Sequence, residues 1–331
     1  MKAAWVRNGA LLAAALIGST VLPAALVGSG PAVGQTSCPT QTLTIPPTNA
    51  TPNLMFPEAL AVDGSGNIYA ADTHTSPPTL FRFSAGGTQT LAIAGTSAAP
   101  NLHEPEGIAV DGAGNIYAAD ISTETLYRFT SAGVQSLAIP STNGSPAFHL
   151  PEGIAVDSSG SHIYTASRGN QSLYVFNAAG VQTLVIPATN ASPALQSPEG
   201  IAVDGAGNIY TADSQTKTLY RFNAAGVQTL AIPATSATPN LMSPQNIAVD
   251  SAGNIYATDL VTKTVYEFNA SGTQILTIPP TCATPNFVTP DGLAVGSVYV
   301  SDTGTATLYR FSIAAPTSPP SPVVVTPRFT G

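Results

Sequence analysis

Six times this chain returns to nearly the same phrase. Residues 105–120 read PEGIAVDGAGNIYAAD, and residues 198–213 read PEGIAVDGAGNIYTAD. Weaker copies begin at Pro57 (PEALAVDGSGNIYAAD), Pro151 (PEGIAVDSSGSHIYTAS), Pro244 (PQNIAVDSAGNIYATD) and Pro290 (PDGLAVGSVYVSD). The prolines at 57, 105, 151, 198, 244 and 290 are spaced by 48, 46, 47, 46 and 46 residues. A fixed period of about 40 to 50 residues marks a propeller or a solenoid, whose units cannot bury their apolar surface alone and must stack on their neighbours.

Each unit holds four short apolar runs. In the second copy they cover 108–110, 116–119, 126–129 and 134–139, and we label them strands A to D. Asp111-Gly112-Ala113-Gly114-Asn115 separates A from B, and Ser131-Ala132-Gly133 separates C from D. Both breaks are rich in residues that tolerate turn dihedrals, so the pairs read as hairpins. Ala118 and Ala119 in strand B leave little bulk near an axis, whereas Leu126, Tyr127 and Phe129 in strand C fill space further out. That taper suits a wedge. Six wedges around a central channel shelter each other's faces, and the expected fold is all-β, a six-bladed β-propeller.

The frame of the repeat is offset at the chain ends. The sixth copy has runs for A, B and C and then breaks into SIAAPTSPPSPVVV, with no fourth strand. At the other end, residues 40–53 (TQTLTIPPTNATPN) match residues 273–286 (TQILTIPPTCATPN), a strand D without its A, B and C. Residues 40–46 are therefore expected to close blade six as its outer strand. The same offset bears on the two cysteines. Cys282 follows a strand D and Cys38 precedes one. A strand of about six residues holds its ends about 20 Å apart, whereas bridged cysteines need Cα atoms within about 7 Å, so the expectation is that these two stay unpaired.

Residues 1–34 carry Lys2 and Arg7, then an alanine-rich apolar run from Ala10 to Val27 and a small-residue exit at Ala32-Val33-Gly34. This reads as a secretory signal, with an uncleaved membrane anchor as the rival. The expected organisation is a signal over 1–34, a propeller over 35–311 and a Pro/Ser/Thr-rich tail over 312–331. The expected location is secreted or in the cell envelope, as a monomer without stable membrane insertion after cleavage. Only 8% of residues are charged, the net charge is −8, and the ten lysines and arginines are scattered. Nucleic-acid binding needs a basic patch to displace counterions, so nucleic acid is excluded as a partner.

The half-repeat PEGIAVDGAGNIYAAD resembles the NHL-repeat family of β-propellers, and the resemblance covers residues 57–311. Before strand C, where NHL units carry Asn-x-Arg-Ile, this chain has TETLYRF or TKTLYRF. The wider superfamily includes gluconolactonase-like hydrolases and virginiamycin B lyase-like propellers. That resemblance implies a divalent metal in the channel and lyase or hydrolase chemistry as the alternative to a binding role.

Several recurring residues have structural readings. Asp63, Asp111, Asp157, Asp204 and Asp250, with Gly296 in the sixth unit, sit where a turn aspartate bonds its own backbone. Asp72, Asp120, Asp213, Asp259 and Asp302 close strand B and read as caps, with Ser167 in the third unit. Arg82, Arg128, Arg221 and Arg310 on strand C read as solvated or paired with neighbouring blades, and Arg168 has no counterpart in other units. The residues after the opening prolines ask for more: Glu58, Glu106, Glu152, Glu199, Gln245 and Asp291 should ring the channel mouth. A turn there does not require an acid. Two residues before the prolines stand Met55, His103, His149, Gln196, Met242 and Val288. His103 and His149 beside Glu106 and Glu152 offer ligands for zinc, and carboxylates alone would suit calcium. No nucleophile elbow or phosphate loop is present. The function expected is a binding or protein-interaction module working through the channel-mouth face on a protein, peptide or glycan ligand, with Arg168 and the acid ring as contacts.

Overall fold

The computed structural model describes residues 38–313. The signal expected over 1–34 and the tail beyond Ile313 lie outside the described residues. Within them, every unit forms a four-stranded antiparallel sheet in the order A-B-C-D. Blade one comprises Pro57–Val62, Ile68–Asp72, Thr79–Phe83 and Gln89–Ala94, and blade three Pro151–Val156, His162–Ser167, Ser172–Asn177 and Gln182–Ile186. The all-β, six-bladed propeller expected from the repeat is the fold observed.

Each blade buries both faces against its neighbours, and the apolar core divides accordingly into six clusters, one per blade interface. Between blades one and two, Ala59, Tyr69, Ala71 and Leu80 pack against Ile108, Ile116, Tyr127 and Phe129. Ala118 and Ala119 are wholly buried in strand B, as are Tyr127 and Phe129 in strand C. The taper is therefore small side chains inside and aromatic rings outside.

Closure follows the offset. Blade six has the order Thr40–Ile45, Thr307–Ser312, Val298–Asp302, Pro290–Ala294, so its outer strand comes from the N-terminal end of the propeller. Thr44 stands opposite Tyr309 and Ile45 opposite Leu308 in this antiparallel pairing. Ile45, Ala50 and Leu54 are buried against blade one.

The cysteine expectation is overturned: Cys38 and Cys282 form a disulfide, with Cα atoms 5.3 Å apart across 244 residues of sequence. The strand-length argument placed the two residues at opposite ends of one strand. They flank different strands, in blades six and five, and the start of each strand D lies against the link leaving the preceding blade's strand D. A glutamine marks this junction repeatedly: Gln89 bonds Thr51, Gln135 bonds Ala99, and Gln41 bonds Thr284 through both amide atoms at 2.8 and 3.0 Å. The disulfide sits at the last such junction.

The structural readings of the recurring polar residues gain detail. Asp111 Oδ1 accepts from the amides of Ala113 and Asn115, and Oδ2 from Asn115 Nδ2 and the Tyr117 hydroxyl. At Asp63, burial raises the carboxyl, but bonds from Asn67, Tyr69 and Ser65 outweigh it and leave it below its ordinary value. Asp120 does more than cap: Oδ2 accepts from His103 N at 2.6 Å and Glu104 N at 3.0 Å, and Oδ1 from Thr123 N at 2.8 Å. It ties the entry of strand A to the B–C turn. The strand C arginines brace neighbouring blades: Arg128 Nε donates to Ser136 Oγ in its own strand D, and Nη1 to the Ala178 carbonyl in the next blade's C–D turn.

Candidate functional site

The innermost strands of blades two, three and four start with Pro-Glu-Gly, and the glycine explains how closely they approach their neighbours. A side chain at Gly153 would meet the Glu199 carbonyl oxygen at 2.7 Å, and one at Gly200 would meet Asn246 Cα at 2.7 Å. Strands this close bring the preceding acids together. Glu58, Glu106, Glu152, Glu199, Gln245 and Asp291 all line one small cavity of about 80 Å³ at the channel mouth. Asn246 lines it too and was missed in the sequence reading. Its signal was present, since the fifth copy reads PQNIAV where others read PEGIAV.

The ring is not symmetric. Glu199 is buried, and its Oε1 accepts from Ser197 Oγ at 2.8 Å and Ser214 Oγ at 2.6 Å. Gln245 Nε2 donates to Ser243 Oγ at 3.0 Å. Arg168, the basic residue without a counterpart, reaches in from the B–C turn of blade three. Its Nε lies 2.7 Å from Glu152 Oε1, and Nη1 lies 3.9 Å from Glu199 Oε2. The short contact with Glu152 is coulombic without an aligned N–H, because Glu152 Oε1 has no hydrogen-bond partner among the described residues. Glu58 Oε2 is a second buried oxygen without one.

Crowded, desolvated carboxyls resist ionisation. Burial first, then Glu106 and Asp291, pushes the Glu58 carboxyl up to about 9. Asp291 is pushed up to about 7 by burial and then by Glu106. Glu152 is raised as well, by burial and by Glu106 and Glu199, with Arg168 working in the opposite direction. Glu58, Glu152 and Asp291 therefore keep their protons to higher pH than a free carboxyl does.

The two histidines do not join this ring in the way the sequence suggested. His149 is half exposed and its Nδ1 lies 3.1 Å from Glu124 Oε1, a pairing that the sequence reading did not anticipate. The His103 backbone amide is bound to Asp120. Among the described residues, no group of three or more His, Cys, Asp or Glu side chains stands in metal-holding geometry. The donor set at the mouth is carboxylate and amide oxygen, which fits a hard cation rather than zinc. Glu58, Glu106, Glu152 and Asp291 line the cavity without being drawn together as a ligand set.

The chain resembles known proteins at the level of the fold. A family model described as strictosidine synthase-like, N-terminal, matches residues 89–122. No curated protein matches the sequence. Among solved structures, a chain of a nidogen/laminin complex is 22% identical with a TM-score of 0.57, the match covering 69% of this chain and 81% of that one. Virginiamycin B lyase from Staphylococcus aureus is 13% identical with a TM-score of 0.59, covering 82% of this chain and 99% of the other. A structural genomics protein from Bacteroides thetaiotaomicron is 15% identical with a TM-score of 0.60, covering 78% and 70%. Likeness at these identities concerns the fold and does not carry chemistry with it. The six-unit repeat, the six blades and these likenesses fit an NHL-type six-bladed β-propeller.

Proposed function

We propose that the protein is an exported binding module that docks a protein, peptide or glycan on its channel-mouth face and holds a calcium-type cation in the acidic cavity. The observation that carries the reading is the convergence of five carboxyl groups on about 80 Å³, with Glu58 Oε2 buried without a hydrogen-bond partner among the described residues. A buried polar atom left unsatisfied is costly, and a cation relieves it. The cavity is large enough for an ion with water and well below the roughly 300 Å³ at which organic-ligand pockets begin. Around it, Met55, Phe56, Met242 and Val288 are large apolar side chains left exposed on blades five, six and one, as a contact surface would need. A disulfide fits an exported protein, because bridges persist in oxidising compartments.

A second reading, a metal-dependent lyase or hydrolase at the same mouth, draws support from the asymmetry that Arg168 introduces and from the likeness to virginiamycin B lyase. The test separates the two. Calorimetry with calcium, zinc and manganese should show heat for calcium, and the melting temperature should rise with the logarithm of free calcium. Glu106→Gln with Glu152→Gln should abolish that rise. If no ion gives heat and the double variant melts like the parent at every concentration, the acids are turn residues and the reading fails. A zinc response lost on His103→Ala or His149→Ala would favour the enzyme.

A further inference from the structure

Blade three departs from the repeat a second time, on the face opposite the acid ring. In blade four, Arg221 sits on strand C, and its Nε donates to Thr229 Oγ1 at 2.9 Å and its Nη1 to the Ala270 carbonyl of the next blade at 3.1 Å. Blades one, two and six repeat this bracing with Arg82, Arg128 and Arg310. Blade three has Val175 at that position, opposite Leu184 in strand D. Both acceptors are still there: Thr183, which corresponds to Thr229, and the Ala224 carbonyl in the C–D turn of blade four. The A–B turn of blade three is also one residue longer than that of its siblings, and His162 Nδ1 lies 2.7 Å from Asp157 Oδ2. In blade four the corresponding carboxylate oxygen is taken by the Tyr210 hydroxyl at 2.9 Å. Tyr164, the blade-three counterpart of Tyr210, makes no such bond among the described residues. Tyr164, Val175, Thr183 and Ala224 lie on the blade three and four side of one open cavity of about 920 Å³ that extends to the A–B turns of blades one and two and takes in Asp63, Asp111, Asp157 and Asp204.

We propose that this gap between blades three and four is a guanidinium slot that takes the arginine side chain of a partner peptide. Four blades show what these acceptors hold when the chain supplies it, a guanidinium with one N–H on a strand D hydroxyl and another on the neighbouring turn carbonyl. Blade three presents the acceptors without the donor. Val175 and Leu184 offer an apolar floor for the methylene stem, and Tyr164 adds a hydroxyl that can accept. Asp157 and Asp204 supply a negative field, and the net charge of −8 favours encounter with a cationic partner. A planar fork matches two diverging acceptors, which a lysine ammonium does not. Blade five makes the contrast plain: Glu267 replaces its arginine, no C–D turn joins the strands of blade six among the described residues, and Glu267 accepts from Tyr256 instead, at 2.8 Å.

The test titrates the full chain with N-acetyl-L-arginine amide, followed by calorimetry. Saturable binding at about millimolar strength is expected for so small a ligand. The lysine counterpart should bind about tenfold more weakly or worse. Val175→Arg, which fills the slot from inside, should abolish binding, and Thr183→Val should weaken it about tenfold while melting with the parent. The ring variant Glu106→Gln with Glu152→Gln should bind the probe as the parent does, which keeps this result separate from the cation reading. Absence of saturable binding, equal affinity for the lysine probe, or binding that survives Val175→Arg overturns the proposal. Arg328→Ala should leave the affinity unchanged; a chain that binds the probe tenfold more tightly after this substitution would show that its own tail fills the slot, and the partner reading would fall.

Discussion

Blades three and six both break the repeat, and they break it for different physical reasons. Blade six lacks its own strand D and receives Thr40–Ile45 in its place, with a disulfide at the junction. Its neighbour adapts to that change, since Glu267 in blade five stands where other blades brace a turn that blade six does not have among the described residues. These departures serve closure. Blade three has a complete set of strands, yet it carries Ser167 for aspartate, Arg168 in the acid ring, an extended A–B turn and Val175 for arginine. Ser167 Oγ still accepts from His149 N at 2.9 Å, and Asn170 Nδ2 donates to the Ala147 carbonyl at 2.8 Å, so the local frame is rebuilt rather than lost. Departures that the ring does not need are the ones to search for function.

The comparison breaks most easily at blade six. Deleting residues 41–45 exposes an unpaired edge and the apolar face against blade one, so the protein should aggregate or lose most of its stability in a thermal melt. An unchanged melt would mean that another segment, such as Val323 to Val325, serves as the outer strand. Next in size is the disulfide. Cys282→Ala should cost about 2 to 5 kcal/mol in denaturant unfolding under oxidising conditions, and a variant as stable as the parent would show that the strand pairing alone closes the ring.

The next prediction tests blade three's share of the ring. Glu58 titrates near 9 in the folded chain against 4.5 ordinarily, so the folded state binds more protons than the unfolded one between those values. Stability must therefore fall as pH rises through that window, in the sense opposite to a salt-bridged acid. The melting temperature should drop by about ten degrees between pH 5 and pH 9, since the window is worth about 5 kcal/mol. Arg168→Ala should extend the drop to higher pH, because Arg168 is the group that opposes the rise at Glu152. A flat profile in both proteins would indicate that the mouth is fully solvated. The smallest effect concerns the brace: Arg128→Val, which copies blade three into blade two, should cost about 1 kcal/mol in chemical denaturation. A larger loss there would imply that blade three carries a compensation of its own.

Much of this could be read from the chain. The period, the hairpin breaks at Asp111 to Asn115, and the match of residues 40–53 to 273–286 led to the blades and to their closure. The polar residue after each proline, an acid in every blade but the fifth, led to the ring, because the position recurs in six units and strand A is innermost. Asn246 was legible in the same way and was passed over. Other features were not legible. The Cys38–Cys282 bridge depends on which strands become neighbours across a blade boundary, and the His149–Glu124 pair spans two blades. The slot at Val175 looks like an ordinary substitution until Ala224, in the next blade, is seen beside it.

Local pattern alone determined the strands, the turns, the number of blades and the identity of the closing segment, because each of these rests on periods of two residues and of one unit. Tertiary structure decided what faces what. Strand twist and the wedge packing of the sheets set the start of one outer strand against the end of another, bring the acids within a shared low-dielectric cavity, and leave one brace without its arginine. Those contacts join residues from different blades, and no periodicity within a unit encodes them.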